Sequence, residues 1–256
     1  MIRLERRSKG IVWVWFARPQ ARNALTFAMW DTLAHHAAEL DRDPTVRAIV
    51  FCGDGGEAFV SGTEIGEFRG FSADDGVAYE ARVERALTAL EAIRVPTLAA
   101  IRGACTGGGV AIAATCDLRI GAPGARIGIP IARTLGNAIA LKNCARLARL
   151  IGLDTVKRLI LTAALLDADA ALRCGFLCEI TASDTVLEAH VQATAEGLIA
   201  LAPLTLRSTK EMVRRLAALE TLPSDEDLLR LCYGSADFAR GVAAFLEKQP
   251  AEWTGS

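Results

Sequence analysis

Residues 101–121 read IRGACTGGGVAIAATCDLRIG, and three consecutive glycines at positions 107–109 separate an apolar segment from a run of small residues. Residues 99–101 are predicted to be a short buried strand, and residues 110–115 a helix packed inside the protein. Glycine permits the bend between them because it has no Cβ atom. A strand that turns directly into a helix leaves backbone N–H groups unpaired beside the positive end of the helix dipole. The bend is therefore predicted to hold developing negative charge.

The composition favours small-molecule chemistry over nucleic-acid binding. The chain has 256 residues, of which 52% are apolar, enough for a large core. It carries 29 Lys and Arg against 30 Asp and Glu, and this balance lacks the basic excess of a nucleic-acid-binding protein. The apolar run near the N-terminus is short and alternating, which predicts a strand and not a signal peptide. No apolar segment reaches the roughly 18 residues that a membrane span requires.

The cysteines indicate a reducing compartment. They are odd in number, form no CxxC pair and fall mostly within apolar runs: Cys52, Cys105, Cys116, Cys144, Cys174, Cys178 and Cys232. We interpret them as reduced core thiols of a cytoplasmic protein and expect no metal site.

Along the chain, strands alternate with helices in the first half, and helices dominate the last third. The predicted strands are residues 2–6, 11–16, 46–52, 99–101, 118–121 and 177–180. The predicted helices are one capped by Thr26 and those at residues 74–94, 110–115 and 137–150, and residues 125–130 are predicted to be a loop. This order predicts an α/β core over residues 1–200 and a helical oligomerisation region over residues 201–256.

The C-terminal region carries more apolar surface than a free-standing helical tail would. Pro203 and Pro223 are predicted to separate three helices. A subunit interface would cover the apolar residues Leu216, Leu219, Leu228, Leu229, Leu231, Phe238 and Phe245.

Three segments at these mutual spacings carry a family resemblance: PQARNAL (residues 19–25), FVSGTEIGEF (residues 59–68) and residues 101–120. Together with the helical tail they resemble the crotonase superfamily, the enoyl-CoA hydratase and isomerase family, from the first hairpin to about residue 245. The resemblance implies an α/β fold of repeated ββα turns with a C-terminal helical trimerisation region, assembled as homotrimers or dimers of trimers. It also implies an acyl-CoA substrate, with no cofactor beyond the coenzyme A moiety. The thioester oxygen would lie between two backbone N–H groups, so that an enolate can form.

The resemblance assigns residues to this site. The two amide donors would be Thr63 and Gly108, and an amide donor needs only a backbone held at the correct angle. The path of the adenine and pantetheine would be lined by Ala24, Val60, Ser61, Thr63, Glu64 and Ile65. The position where relatives often carry a basic residue for the nucleotide is Gly66 here. Arg22 would substitute for it, or is a solvated loop arginine.

The sequence also departs from the family. Hydratases carry two glutamates at positions that are Ala111 and Ile131 here, and neither of these side chains titrates. The dehalogenase branch uses an aspartate near the position of Ala138. The usual hydratase mechanism therefore cannot run on these residues.

The segment PIARTLGN offers replacements. Arg133, Thr134 and Asn137 would bind a carboxylate or orient a water, but Asn137 is equally explained as a helix N-cap and Arg133 as a surface charge. Glu64 follows the first donor, where the family usually has a structural aspartate. His35, His36 and His190 are interpreted as structural.

Three functional hypotheses remain at this point. The first is an acyl-CoA enzyme of the enoyl-CoA hydratase/isomerase type with an unassigned acid/base group. The second is an acyl-CoA-binding homologue that has no activity or catalyses a different reaction. The third, RNA binding, is disfavoured because basic residues are sparse on the helices that carry Lys142, Arg146 and Lys210.

Overall fold

The computed structural model describes residues 1–218 and 222–255. Its strands are β1 (Ile2–Arg6), β2 (Ile11–Phe16), β3 (Ala48–Gly53), β4 (Ala58–Val60), β5 (Thr97–Ile101), β6 (Ala104–Thr106), β7 (Leu118–Gly121), β8 (Arg126–Gly128), β9 (Leu165–Leu166) and β10 (Glu179–Ile180). Its helices are α1 (Phe27–Arg42), α2 (Ala73–Glu91), α3 (Gly108–Thr115), α4 (Ile131–Thr134), α5 (Leu141–Ile151), α6 (Leu153–Leu161), α7 (Ala168–Arg173), α8 (Leu187–Ile199), α9 (Pro203–Ala218), α10 (Glu226–Tyr233) and α11 (Ala236–Glu247).

The strands form two sheets. The larger has the order β1-β2-β3-β5-β7-β10, in which the β1–β2 hairpin is antiparallel and the remaining pairs are parallel. The smaller has the order β4-β6-β8-β9, with β8 and β9 antiparallel. The chain returns from the smaller sheet to the larger one after β4 and again after β6, and a glycine-rich segment follows each of these two strands.

The larger sheet is buried on both faces, as its apolar strands predict. Successive side chains of β2 alternate between the faces: Val14 and Phe16 enter one core, and Trp13 and Trp15 enter the other. Helix α1 covers the first face and α8 the second. Every residue of β3 is buried, which is typical of a central parallel strand.

In the N-terminal half of the chain, the helices begin close to where the sequence predicts. Thr26 caps α1 by accepting a hydrogen bond from Met29 N, as predicted. Ser72 and Asp75 form a capping box at the start of α2. Helix α3 begins at Gly108, immediately after the glycine bend.

Two local predictions were wrong. Residues 125–130 are not a simple loop, since β8 pairs there with β6. The helix predicted from residue 137 begins at Leu141, because Leu141 N is held by the carboxylate of Asp225 from the segment before α10. Asn137 is therefore not a helix N-cap.

The three predicted C-terminal helices are α9, α10 and α11. Helix α10 packs on α2, and Leu229 and Phe238 are buried. No residue of α9 is buried, and exposed apolar side chains include Leu204, Met212, Val213, Leu216, Leu228, Leu231 and Phe245. Leu219 lies outside the described residues. No helix in the described part of the chain is both long and apolar enough to cross a membrane.

The cysteines are free thiols. Cys52, Cys105 and Cys116 are buried, and burial raises the pKa of each thiol. Cys178 is exposed, so the interpretation of all seven as core residues was wrong for this one.

Candidate active site

The first glycine bend follows β4 and carries Thr63. Leu25 N donates to Gly62 O at 2.9 Å, and Glu64 N donates to Leu25 O at 2.8 Å. Residues on either side of Thr63 thus pair with Leu25. Because successive N–H groups of an extended chain point in opposite directions, the N–H of Thr63 points away from that neighbour.

The second bend lies at the start of α3. Gly107 has φ +52°, which favours glycine, and its N–H donates to Gly128 O of β8 at 3.0 Å. A Cβ atom on Gly109 would lie 2.2 Å from Val60 O, so only glycine fits there. The N–H of Gly108 is among the first in α3, where no intrahelical acceptor exists.

The structure brings the two bends into contact. Thr106 Oγ1 donates to Ser61 O at 2.9 Å. A Cβ built on Gly108 would lie 3.8 Å from the carbonyl carbon of Gly62, the atom bonded to Thr63 N. Within residues 1–218 and 222–255, neither Thr63 N–H nor Gly108 N–H has a hydrogen-bond acceptor. Two free amide donors therefore lie beside each other at the positive end of a buried helix.

Trp30 of α1 supports both bends, and the sequence analysis did not identify it. Its Nε1 donates to Thr63 Oγ1 at 3.1 Å, and Thr63 Oγ1 lies 2.7 Å from the hydroxyl of Tyr79. The Trp30 ring also lies against Gly108, since a Cβ there would meet Cζ2 at 2.7 Å. One indole thus contacts both bends.

Residues 22–25 run beside the first bend. Ser61 N donates to Arg22 O at 3.1 Å. The Arg22 side chain is exposed, 3.9 Å from Glu57. Ala24, Ser61, Glu64 and Ile65 are half-buried, whereas the Val60 side chain is in the core.

Glu64 does not stand free beside the first donor. It forms an ion pair with Arg18 at 2.9 Å, and the same guanidinium donates to Ala24 O at 2.7 Å. This pairing fits a role in holding the two segments together.

The two positions where hydratases of the family carry glutamates are apolar here, one in α3 and the other in α4. Ala111 is 9% exposed and Ile131 is 8% exposed, and both belong to the main hydrophobic core. Ala138 packs against that core. None of these side chains takes part in proton transfer.

The three polar residues of PIARTLGN have different surroundings. Arg133 is exposed, and Thr134 Oγ1 donates to Pro130 O at 3.0 Å within its own helical turn. Asn137 Nδ2 donates to Tyr233 OH at 3.1 Å and to Ala138 O at 3.2 Å. In the described structure no hydrogen bond links these side chains to one another, so only Asn137 joins a wider network.

That network contains a buried carboxyl group that the sequence analysis did not identify. Glu80 of α2 is 6% exposed and accepts hydrogen bonds from Tyr233 OH at 2.7 Å and Ala140 N at 3.2 Å. Burial raises the pKa of Glu80 to about 7. The sequence held one signal, because Glu80 falls on the apolar stripe of α2 with Tyr79, Val83 and Leu87.

The described residues contain no cluster of side chains that could bind a metal ion. In the part of the chain that the structure describes, no three His, Cys, Asp or Glu side chains lie together as a metal site would need. His35 and His36 pair with Glu39 on the surface of α1, and His190 lies 2.9 Å from Glu179.

Comparison with known proteins agrees with this architecture. The family described as Enoyl-CoA hydratase/isomerase matches residues 6–256. A crotonyl-CoA hydratase from Syntrophomonas wolfei is 30% identical over 98% of this chain and 96% of its own length. An enoyl-CoA hydratase/carnithine racemase structure from Magnetospirillum magneticum is 31% identical, with a TM-score of 0.81 over 100% of this chain and 96% of that one.

A further solved structure is a methylmalonyl-CoA decarboxylase in complex with 2-nitronate-propionyl-CoA. It is 26% identical and has a TM-score of 0.89, covering 100% of this chain and 98% of that chain. The fold and the paired glycine bends define a crotonase-type protein. The chain belongs to the enoyl-CoA hydratase/isomerase family.

Proposed function

We propose that this chain is an enzyme that acts on acyl-CoA thioesters and stabilises an enolate between Thr63 N–H and Gly108 N–H. The observation that carries the proposal is the contact between the two glycine bends, with both amides free. Neither donor depends on a side chain, so the pair is insensitive to the departures at other positions. Removing one such donor typically costs about 3 kcal/mol of transition-state stabilisation.

The coenzyme A moiety would lie along residues 22–25 and the first bend. Support comes from the hydrogen bonds that keep these segments parallel, from Ser61 N to Arg22 O and from Glu64 N to Leu25 O. Ala24, Ser61 and Ile65 would contact the pantetheine, and Val60 would contribute only backbone. Arg22 is exposed and available to a phosphate.

This chain lacks the two glutamates that hydration uses in the family, so we do not carry hydration itself over to it. Ala111 and Ile131 lie in the core and offer no acid or base. The relatives include both hydratases and a decarboxylase bound to a nitronate analogue of an acyl-CoA. A nitronate is a planar anion with charge on oxygen, as an enolate is, so the shared feature we carry over is stabilisation of that charge.

Assembly as a homotrimer or a dimer of trimers is part of the proposal. Helix α9 has no buried residue, although Leu204, Met212, Val213 and Leu216 lie along it. An exposed apolar helix of this length favours a subunit contact.

The test uses butyryl-CoA and crotonyl-CoA in deuterated water, followed by mass spectrometry, with binding measured by calorimetry. Deuterium at the α-carbon of butyryl-CoA is expected, because the α-proton passes to the unassigned base or to water as the enolate forms, and a deuteron from the solvent then returns to the carbon. Addition of water to crotonyl-CoA would show hydration without the two glutamates. Absence of thioester binding would overturn the proposal.

The second candidate is an acyl-CoA-binding protein without turnover, which the apolar residues at positions 111 and 131 favour. It predicts saturable binding of both thioesters, with neither deuterium uptake nor addition of water.

A further inference from the structure

Thr63 carries a hydroxyl group that its proposed amide role does not require. A backbone donor needs only a backbone held at the correct angle, and alanine would supply it equally well. Thr63 is nevertheless buried, and its Oγ1 contacts polar groups of two helices: Trp30 Nε1 of α1 at 3.1 Å and Tyr79 OH of α2 at 2.7 Å. Burying three polar groups together is costly unless each of them has a hydrogen-bond partner.

The hydrogens of this cluster outnumber its hydrogen bonds. The indole N–H of Trp30 only donates, whereas each hydroxyl group has one hydrogen and two lone pairs. The contact between Thr63 Oγ1 and Tyr79 OH uses one of the two hydroxyl hydrogens. In the described chain these two oxygens make no other hydrogen bond apart from the one that Thr63 accepts from Trp30. One hydroxyl hydrogen therefore has no acceptor among the described residues.

Acidity assigns the free hydrogen to Thr63. A phenol is a stronger acid than an aliphatic alcohol, so Tyr79 donates and Thr63 accepts. Burial raises the pKa of Tyr79, so the phenol keeps the proton that it donates. The opposite arrangement would leave the phenol hydrogen without an acceptor beside the rings of Phe27 and Phe68, whose centroids lie 5.4 and 4.8 Å from that of Tyr79. Thr63 thus accepts two hydrogen bonds and keeps its own O–H free.

The free hydroxyl group lies on the residue that carries the first amide donor. Covalent geometry keeps the Oγ1 of a threonine within about 4 Å of its own backbone nitrogen in every staggered rotamer. The N–H of Thr63 also has no acceptor in the part of the chain that the structure describes. Trp30 extends from Oγ1 to the second bend, where a Cβ on Gly108 would meet its Cζ2 at 2.7 Å. The hydroxyl group therefore shares its contacts with both amide donors.

Two accepted hydrogen bonds make the O–H of Thr63 a stronger and better directed donor. Hydrogen bonds in a chain polarise one another, and here two donors draw electron density from Oγ1. Because both lone pairs are occupied, the O–H bond has one direction left. In surroundings that exclude water, such a donor interacts more strongly with developing negative charge than it would in solvent.

We propose that the Thr63 Oγ1–H group, oriented by Tyr79, is a third hydrogen-bond donor to the thioester oxygen, beside Thr63 N–H and Gly108 N–H. This rests on the acyl-CoA binding proposed above. Thr63 is a catalytic residue through both its amide and its hydroxyl group, and Tyr79 is a positioning residue. The hydroxyl group keeps its proton throughout, so it stabilises the enolate charge without transferring a proton to it.

The test measures the infrared spectrum of bound butyryl-CoA that is labelled with carbon-13 at the thioester carbonyl. Each hydrogen bond to the carbonyl oxygen weakens the C=O bond and lowers its stretching frequency, so the band reports on the donors themselves. The wild-type chain is expected to lower the frequency relative to free butyryl-CoA. Thr63→Val, which keeps the shape and removes the hydroxyl group, is expected to return the band part of the way. Thr63→Ser is expected to restore the wild-type position.

Thr63→Ala is a second variant without the hydroxyl group, and it keeps the test decisive if Thr63→Val does not fold. Calorimetry checks that each variant binds butyryl-CoA, with affinity expected to fall by no more than about 10-fold, the ordinary worth of one hydrogen bond. Deuterium exchange at the α-carbon is expected to slow by a larger factor than binding weakens, because the enolate oxygen carries more charge than the thioester oxygen.

Tyr79 is tested by whether its effect depends on Thr63. Tyr79→Phe is expected to move the band in the same direction as Thr63→Val, but by less. In the double variant the band is expected where Thr63→Val alone places it, because Tyr79 acts only through the hydroxyl group. Tyr233→Phe is the matched control. It removes a buried phenol whose ring lies 6.2 Å from that of Tyr79 but whose hydroxyl group donates to Glu80, and the wild-type band is expected.

The outcomes separate this inference from the proposed function. If butyryl-CoA does not bind the wild-type chain, the acyl-CoA proposal is wrong, and the role of the hydroxyl group is wrong with it. If the wild type lowers the frequency and both Thr63→Val and Thr63→Ala do so equally, the amide pair stands and the hydroxyl role is wrong. The hydroxyl role is also wrong if Thr63→Ser behaves like Thr63→Val. An effect of Tyr79→Phe that persists in the double variant would show that Tyr79 does not act through Thr63.

Discussion

The two glycine bends and the Glu80 network are built in opposite ways. The bends use backbone N–H groups from two short segments, and side chains hold those segments in contact. The network uses three side chains from separate elements, and Glu80 and Tyr233 are 153 positions apart in the chain. The first region depends on the absence of side chains, and the second depends on the identity of each one.

This difference predicts how easily each region would change during divergence. A backbone donor survives any substitution that leaves the bend intact, so the proposed enolate site would be retained while other residues vary. A side-chain network is altered by a single substitution. Substitutions in the two regions are therefore expected to have effects of different size.

The largest effect is expected from Gly108→Ala. The added Cβ would meet Trp30 Cζ2 at 2.7 Å, and because Trp30 Nε1 also holds Thr63 Oγ1, both donors would shift. Deuterium exchange at the α-carbon of butyryl-CoA is expected to slow by about 10²–10³-fold. Gly197→Ala in α8, with nothing within 4 Å of the new Cβ, is the matched control. Wild-type exchange in a folded Gly108→Ala variant would remove Gly108 from the enolate site.

The second prediction concerns the free energy of unfolding as a function of pH. Burial raises the pKa of Glu80 from 4.5 to about 7, so between these values the folded state binds a proton that the unfolded state has lost. The free energy of unfolding therefore decreases as pH rises through this window, by up to about 3 kcal/mol, and levels off above it.

Urea denaturation of the wild type and Glu80→Gln across this range measures the effect. The difference between the two curves isolates Glu80, because the carboxyls with lowered pKa values, such as Asp43 and Asp237, contribute equally to both. Parallel curves would mean that the pKa of Glu80 is not raised by burial. The contrast between the two regions would then lose its chemical basis.

The same contrast explains what the sequence could predict. The bends were predictable because glycines at fixed spacing in a strand–turn–helix segment imply a specific backbone shape. The order of strands and helices was predictable from apolar patterns, and the cap at Thr26 from its residue type. These features are encoded within a few neighbouring residues.

Features that depend on distant residues were not predictable. Helix α5 starts at Leu141 because Asp225, 84 positions away, holds its first amide, and nothing local to Asn137 indicates this. Strand β8 is three residues long and has no periodicity to detect. Tyr233 reaches Glu80 only because Gly76 leaves room for its ring, a relation that no single segment records.

The third prediction uses two glycines within helices. Replacing a helical glycine with alanine normally stabilises a helix by up to about 1 kcal/mol, and Gly197→Ala in open space is expected to do so. Gly76→Ala is expected to destabilise the protein by about 2 kcal/mol, since the new Cβ would overlap the Tyr233 ring. Urea denaturation measures both. Equal stabilisation by the two substitutions would show that α10 does not pack on α2 through Tyr233.

The smallest effect is expected from Trp253→Ala. The Trp253 ring lies over Gly136, where a Cβ would meet Cζ3 at 2.9 Å, and Asp237 holds the tail by accepting from Thr254 N and Gly255 N at 2.8 Å. Because this ring is half-exposed, its loss is expected to cost less than about 1 kcal/mol of global stability.

Hydrogen exchange measured by mass spectrometry shows which segments Trp253→Ala destabilises. Amides of residues 134–140 are expected to exchange faster, because the ring packs on Gly136. Amides of residues 61–63 and 106–109 are expected to keep their wild-type rates, since Trp30 and the neighbouring strands hold them. Faster exchange in both regions would show that they form one cooperative unit. Residues 134–140 would then not vary independently of the two glycine bends, and the division between backbone-built and side-chain-built regions would fail.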